Sequence, residues 1–433
     1  MINAKIRDRS AVIGIIGQGY VGLPLSLLFC EEGFAVIGFD VDPAKVDALR
    51  RGESYIRHIG PERVRAAAES GRFQPTVDFD RLPECDAVLI CVPTPLGPHR
   101  EPDLSYVHDT TRRISRALRP GQLIVLESTT YPGTTDGELL PLLEESGLRT
   151  PQDFLLAFSP EREDPGNSQF STKTIPKVVG GVNPESGEAA AALYGAVIDQ
   201  VVTVSHSSVA ESSKLLENIY RAVNIALVNE MKILLDRMGI DVWEVIEAAK
   251  TKPFGFQPFY PGPGLGGHCI PLDPFYLSWK ASEYGMWARF IELAGEVNAG
   301  MPRWVVAKVQ EALSDEGKGL KNARILVLGL SYKPDIDDDR ESPSYEIIQL
   351  LEERGAQVDY CDPHIPRSHP GRHHHVAKES VPVDPQVFGG YDAVVLSTAH
   401  AAFKDPALYQ ETKLLVDTRN AVNPPAGTRL VRA

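Results

Sequence analysis

Cys269 stands in the run Pro261-Gly-Pro-Gly264-Leu-Gly266-Gly-His-Cys269-Ile-Pro-Leu-Asp273. Glycine tolerates backbone conformations closed to other residues and adds no side chain, so a loop this rich in it lets main chain come close to a bound molecule. A thiol delivered there is placed to attack a bound carbon. Near the other end of the chain, Gly17-Gln-Gly19-Tyr20-Val21-Gly22 has the spacing Gly-x-Gly-x-x-Gly, and Asp40 follows about twenty residues later. This is the pattern of a dinucleotide site. Gly17 makes the turn, Gly19 admits a pyrophosphate to the backbone, and the helix that follows offers unpaired N–H groups to it. The Asp40 carboxylate accepts hydrogen bonds from ribose hydroxyls and repels a 2′-phosphate, which favours NAD over NADP. Lys45 adds a cation at the adenosine end. An oxidoreductase that only interconverts alcohol and carbonyl needs no nucleophile. A cysteine beside a nicotinamide site therefore predicts oxidation carried past the aldehyde, through a thioester. The plain alternative for Cys269 is a small buried apolar side chain; the glycines around it and the acid at Asp273 weigh against that. His268 is not expected to activate the thiol, because neighbours in sequence point apart.

The elements that must position these residues are legible in the pattern. Ala11–Ile16 reads as a strand, the glycines as a tight turn, and the following apolar spacing through Cys30 as a helix. Phe34–Phe39, Ala87–Val92 and Leu123–Leu126 read as further strands. Thr94 and Thr129 fall in turn-rich segments at strand ends, where ligands collect in open α/β sheets. Ser207–Gly239 has no proline or internal glycine and predicts a long helix, on which Lys214, Asn218 and Ala222 share a face with Arg221 beside it. A second helical stretch is expected from about Pro274 to Leu313. Near residue 320 the α/β pattern restarts: strands at Arg324–Gly329, Gln357–Cys361, Ala393–Ser397 and Leu414–Asp417, and a helix from Ser342 opened by Ser-Pro. The expected fold is α/β: two Rossmann-like doubly wound domains joined by a long central helix and a helical middle domain. Its divisions are 1–205, 206–318 and 319–433, with a natural ligand cleft between the two α/β domains.

Composition narrows the partners. A chain of 433 residues predicts two to four domains. Five scattered cysteines do not make a disulfide framework and fit a reducing cytoplasm. No stretch is apolar enough to span a bilayer and no secretory leader is seen, so no membrane association is expected. A net charge of −14 excludes nucleic acid as a partner, since phosphate backbones demand a basic surface. The His373-His374-His375 triplet lies in a Pro, Gly and Arg-rich surface stretch and is not expected to hold a metal.

Gly17-x-Gly19-Tyr20-Val21-Gly22-Leu-Pro, Val92-Pro-Thr94-Pro, Ser128-Thr129, Ser159-Pro-Glu161-Arg162, Lys214 with Asn218, Gly-Gly-His-Cys269-Ile-Pro-x-Asp273 and Lys333 with Arg340 run in order over nearly the whole chain. Together they resemble the UDP-glucose/UDP-N-acetylmannosamine dehydrogenase family, the nucleotide-sugar 6-dehydrogenases. Ser159-Pro-Glu-Arg-Glu-Asp-Pro-Gly and Thr251-Lys-Pro-Phe-Gly-Phe are similar to the branch that oxidises UDP-N-acetylglucosamine to the uronate. The resemblance implies catalytic roles for Cys269, Lys214, Asn218, Asp273, Glu161 and Thr129. It implies cofactor contacts from Gly17, Gly19, Tyr20, Val21, Gly22, Asp40, Lys45, Thr94, Thr129 and Arg340. It implies substrate contacts from Arg162, Glu163, Lys214, Asn218, Arg221, Tyr260, Gly264, Gly266, Lys333 and Arg419, two NAD per turnover, a homodimer or higher homo-oligomer, and a product for surface polysaccharide synthesis. Two departures matter. Leu272 stands where the UDP-glucose branch has lysine, and Pro165 stands where a second glutamate is expected, leaving Glu163 and Asp164 nearby but out of register. Both fit an N-acetylhexosamine better than glucose, with the glucosamine, galactosamine and mannosamine epimers all open. The competing readings are a two-electron hydroxyacid dehydrogenase, against which Cys269 argues, and a non-catalytic nucleotide-sugar binding protein.

Overall fold

The computed structural model describes residues 2–56, 59–97, 99–162, 171–267, 269–369 and 376–433, with Cys269 described for its backbone alone. The chain folds into two compact units, Met1–Glu217 with Phe275–Met286, and Asn218–Pro274 with Trp287–Ala433. The expected α/β class holds in both.

The first unit is built on β1 (Val12–Ile16), β2 (Ala35–Phe39), β3 (Phe73–Thr76), β4 (Ala87–Ile90), β5 (Leu123–Leu126), β6 (Leu155–Phe158), β7 (Lys177–Gly181) and β8 (Val201–Val204). They form one sheet in the order β3-β2-β1-β4-β5-β6-β7-β8. Its first six strands have the doubly wound order of a dinucleotide fold. β4 and β5 are apolar and buried at every position, as strands covered on both faces must be. The order reverses at β1, whose neighbours are β2 and β4, so the carboxyl ends of β1 and β4 flank the switch point. All pairings are parallel except β6 with β7. The sequence reading missed β3 because Phe-Gln-Pro-Thr carries a proline; it survives at the sheet edge, where one row of N–H groups has no ladder to serve.

In the second unit, β9 (Arg324–Leu328), β10 (Gln357–Cys361), β11 (Ala393–Leu396), β12 (Leu414–Asp417) and β13 (Arg429–Arg432) form an all-parallel sheet in the order β10-β9-β11-β12-β13. Ser342 caps the helix Pro343–Glu353, with Pro343 in its first position, as the Ser-Pro pair predicts.

The long helix spans Ser207–Arg237 and ends where Gly239, at φ +72°, lets Ile240 N–H reach Leu235 C=O at 2.9 Å. The expected single stretch 274–313 is instead two helices, Cys269–Glu283 and Arg289–Asp315. Gly285, at φ +67°, stops the first, with Met286 N–H returning to Ala281 C=O at 3.1 Å. Cys269 thus opens a helix rather than lying inside the glycine loop. Among the described residues, no helix is long and apolar enough to cross a membrane.

The same device closes the first loop of each sheet. After β1, Gly17 takes φ +91° and donates to Phe39 C=O at 2.8 Å; after β9, Gly329 takes φ +86° and donates to Cys361 C=O at 2.9 Å. The next residue in the neighbouring strand is an acid in both. Asp40 Oδ2 accepts from Gln18 N–H at 2.9 Å, and Asp362 Oδ2 accepts from Leu330 and Ser331 N–H at 2.6 and 2.9 Å. Asp362 also accepts from His364 and Ile365 N–H, and faces His400 Nε2 at 3.1 Å. Because His400 Nδ1 accepts from Asp335 N–H at 2.9 Å, the proton on Nε2 faces the carboxylate. Burial alone would raise the Asp362 pKa, but the His400 hydrogen bond and the backbone donors bring it down to about 2. A depressed carboxylate stabilises the fold above its unfolded pKa, near 4, and loses that effect as pH falls through its folded value. Asp362→Asn should therefore cost about 2–4 kcal/mol in denaturant unfolding at pH 7. The gap between the variant and the unaltered chain should narrow between pH 4 and pH 2, and a gap independent of pH would refute this account.

Candidate active site

The carboxyl ends of β1, β2, β4, β5 and β6 collect Gly17 to Gly22, Asp40, Thr94, Thr129 and Glu161 along one edge of the first sheet. The glycines are fixed by contact as well as by φ. A Cβ at Gly17 would lie 2.4 Å from Cys91 O, and one at Gly22 1.8 Å from Gly17 O. At Gly19 a Cβ would meet no protein atom within 4 Å. Packing within the protein does not require glycine there, whereas a pyrophosphate drawn to the backbone does, so the cradle fits NAD. Asp40 Oδ1 accepts from Asp42 N–H at 3.0 Å, and Lys45 Nζ lies 3.7 Å from Asp40 Oδ2. Thr94 Oγ1 donates to Thr129 C=O at 2.8 Å, which joins the two predicted cofactor threonines, and Thr94 C=O accepts from Tyr276 of the helix Cys269–Glu283.

The helix Ser207–Arg237 supplies the polar groups. Lys214 and Asn218 are 7% and 4% exposed, so the polar strip is buried and not a solvated stripe. Arg221, beside them, faces solvent. One turn before Lys214, the buried Glu211 accepts from Gly133 N–H (2.6 Å), Thr135 N–H (2.9 Å) and Thr135 Oγ1 (2.6 Å). Desolvation raises the Glu211 pKa against these bonds. It thereby fastens the loop that carries Thr129 to the helix that carries Lys214. Lys214 Nζ donates to Glu161 C=O at 2.5 Å. Arg162 grips Glu217 with Nη2 at 2.7 Å and Nε at 3.2 Å, and donates to Pro176 C=O at 2.6 Å. Glu163 and Asp164 lie outside the described residues, as do His268 and the triplet His373–His375.

In the second unit, Asn218 Nδ2 donates to Asp273 Oδ2 at 2.6 Å, bringing together two predicted catalytic residues. Asp273 stands one turn after Cys269 in its helix. The glycine loop is held from beneath by a buried amide pair: Gly262 N–H donates to Asn229 Oδ1 at 3.0 Å, Asn229 Nδ2 to Asn298 Oδ1 at 2.9 Å, and Asn298 Nδ2 to Ala222 C=O at 3.1 Å. The glycines answer to protein as well as to ligand. A Cβ at Gly264 would lie 3.0 Å from Pro343 Cβ, one at Gly266 2.5 Å from Tyr332 Cβ, and one at Gly262 2.4 Å from Arg419 Nη1. Arg419 Nε donates to Ser397 C=O at 2.8 Å; desolvation brings its guanidinium down to about 10, still cationic at neutral pH. Lys333 lies half-buried after β9, near Ser331, whose Oγ donates to Lys333 C=O. Tyr260 stacks on Trp243 and donates to Glu247 at 2.7 Å. Arg340 is paired through both nitrogens with Asp338 at 2.7 and 2.5 Å, and its C=O accepts from Gly267 N–H at 3.1 Å, so it braces the glycine loop.

Glu211, Asn229, Asn298 and the buried trio Glu127, Lys177 and Tyr194 were not foreseen. Their signal is thin: a charged residue abutting an apolar strand run, or an amide at buried helical spacing.

The doubly wound sheet, the NAD cradle and the lysine–asparagine helix define a dinucleotide-dependent oxidoreductase. Comparison with known proteins narrows the class. Residues 11–198, 208–300 and 326–424 match the NAD binding, central and UDP binding domains of the UDP-glucose/GDP-mannose dehydrogenase family, and the chain belongs to that family. It is 35% identical to a UDP-N-acetyl-D-glucosamine 6-dehydrogenase from Pseudomonas aeruginosa over 395 residues, 91% of each chain. It is 33% identical over 426 residues to a UDP-N-acetyl-D-mannosamine dehydrogenase from Pyrococcus horikoshii, 96% of this chain and 97% of that one. A solved structure of UDP-D-ManNAc dehydrogenase from Pyrococcus horikoshii superposes with a TM-score of 0.88 at 32% identity, covering 97% of this chain and 98% of that one. The protein is thus an NAD-binding nucleotide-sugar dehydrogenase.

Replacing Asp40 by Ala removes an acceptor for Gln18 N–H and for ribose. The NAD Kd, followed by titration calorimetry, should rise at least about tenfold, near 1.4 kcal/mol. An unchanged Kd would show that this carboxylate serves the loop alone.

Proposed function

We propose that the protein oxidises the C6 hydroxyl of UDP-N-acetylglucosamine to the carboxylate of UDP-N-acetylglucosaminuronate. The observation that carries this is the Asn218–Asp273 pair, one turn into the helix that Cys269 opens, on a chain matched along its length by relatives acting on UDP-N-acetylhexosamines. Bound NAD supplies the hydride acceptor, and because alcohol to acid removes four electrons, two NAD are used per product. Lys214 and Asn218 stabilise the alkoxide as the C6 hydroxyl loses its proton, and later the oxyanions. The Cys269 thiolate adds to the aldehyde carbon to give a thiohemiacetal, whose oxidation leaves a thioester. Water oriented by Asp273 and Glu161 attacks it, expelling the thiolate and releasing the carboxylate. The other four cysteines support Cys269 in this role: burial pushes the thiols of Cys30, Cys85 and Cys361 up to about 12, and desolvation and Glu127 raise that of Cys91. A thiol so disfavoured as thiolate is a poor nucleophile.

In this reading 1–205 binds NAD, 206–318 carries Lys214, Asn218 and Cys269, and 319–433 binds UDP. Lys333, Arg419 and the loop from Tyr260 to Gly267 hold uridine and diphosphate, offsetting an acidic chain with local cations. Free, buried cysteines agree with a cytoplasmic enzyme. A homodimer is supported by exposed Tyr220, Leu227 and Leu234, seven residues apart on the long helix. The mannosamine epimer is the second reading, favoured by the Pyrococcus horikoshii relative.

Purified protein given NAD and a panel of UDP-sugars should release two NADH per UDP-N-acetylglucosamine and turn UDP-glucose over slowly. Faster turnover of UDP-N-acetylmannosamine would move the assignment to that epimer, and one NADH with an aldehyde product would remove Cys269 from the chemistry. Cys269→Ser should abolish acid formation. Leu227→Asp with Leu234→Asp should yield monomers in sedimentation; retention of a dimer would place the interface elsewhere.

A further inference from the structure

We propose that Lys177 is a positioning residue that holds and aims the Glu161 carboxylate for its work on water, an inference that rests on the role given to Glu161 above. The one antiparallel pairing in the first sheet is what brings Lys177 there. β6 pairs with β7 in the register Ala157 to Gly181 and Phe158 to Gly180. Carried three residues on, that register sets Lys177 opposite Glu161. A parallel β7 would have begun at the far end of the sheet, away from the edge where the reacting groups gather. The continuation is seen in Ser159 Oγ, which donates to Val178 C=O at 2.9 Å.

Lys177 is buried and its charge is compensated on several sides. Its Nζ lies 2.6 Å from Glu127 Oε2, which follows β5, and 3.5 Å from Glu161 Oε2, which follows β6. It also sits 5.2 Å from the centre of the Tyr194 ring, and Tyr194 donates its hydroxyl to the other Glu127 oxygen. Also near Glu161 among the described residues are Cys91, just after β4, Arg162, whose N–H donates to Glu161 Oε1 at 2.6 Å, and Lys214, which donates to its carbonyl. Arg162 and Glu217 compensate each other. Glu127 is committed to Lys177 and Tyr194 inside the unit and does not reach the edge, so the second interaction of the lysine goes to the carboxylate that does. One cation thus serves two carboxylates, and the shorter contact anchors the lysine so that the longer one can steer.

A group that must be ionised to orient water loses activity as pH falls through its pKa. Removing an opposite charge within about 4–6 Å raises a carboxylate by about 1–3 pH units. The test is the acid limb of the kcat profile for uronate formation. Lys177→Met is combined with Glu127→Gln so that no unpaired buried carboxylate remains. The double variant should lower kcat at neutral pH by at least about tenfold, part of the ~10²–10⁴ a general base contributes. Its acid limb should move up by about one pH unit, while the NAD Kd and the UDP-sugar KM stay within about threefold. Lys177→Arg should restore the limb. An unmoved limb in the double variant, with Glu161→Gln abolishing it, would overturn the role of Lys177 alone. A limb that survives Glu161→Gln would overturn the role of Glu161 and this inference with it. Should the double variant not fold, Glu127→Gln alone leaves the lysine to Glu161 and should move the limb down; an unmoved limb there also counts against the proposal.

Discussion

A charged or amide group taken out of water has to find its partners inside the protein, and the helix Ser207–Arg237 buries five such groups along one face: Glu211, Lys214, Asn218, Asn229 and Lys232. Left without a partner, each would cost about 1–3 kcal/mol or more. Satisfaction of that face therefore dictates much of the local architecture. Glu211 collects the donors of the 133–135 turn, Lys214 takes the Glu161 carbonyl, Asn218 takes Asp273, Asn229 takes Gly262, and Lys232 takes the Arg432 carbonyl at 2.8 Å. In each case the partner belongs to a different segment: the turn after Thr129, the main chain at Glu161 beyond β6, the helix that Cys269 opens, the glycine loop, the last strand. Within each unit the helix thus sets the positions of its partners, and the bonds that stabilise the fold also hold the residues to which the proposed reaction is assigned.

Much of this was readable from the chain. The glycines from 17 to 22 and Asp40 are marked by spacing, because turn geometry is a local property, whereas spacing puts Lys214 and Asn218 on one helix face and only the family resemblance gives them a role. The long helix was legible to within two residues, since nothing in it interrupts the pattern. What escaped was of two kinds. Edge strands such as Phe73–Thr76, and the glycine-ended Lys177–Gly181, lack the apolar repetition that marks a central strand. Partnerships across many residues, such as Lys177 with Glu127 or Asn229 with Asn298, leave no local trace: each side chain alone looks like an ordinary surface charge or amide. Cys269 was placed in the loop and not at the head of a helix because Pro274 read as the start of one, whereas the helix begins at Cys269, takes Pro271 in its first turn and carries Pro274 inside it.

The glycines of the 262–267 loop show how one residue type serves two demands. The sequence reading assigned them to close approach of a ligand; the structure shows Gly264 and Gly266 also required by Pro343 and Tyr332, at distances that leave no room for a Cβ. A loop pinned so closely on its protein side has a backbone with little freedom left to lose, which is what the proposed substrate contact would require of it.

The paired acids Asp40 and Asp362 carry a lesson about how nucleotide folds are recognised. Both follow the second strand of their sheet and both close the loop after the first, but only Asp40 sits behind a Gly-x-Gly-x-x-Gly turn, while the oxygens of Asp362 are spent on backbone donors and His400. A carboxylate at that place testifies first to a loop that has to be stapled and only then to a sugar hydroxyl that has to be read.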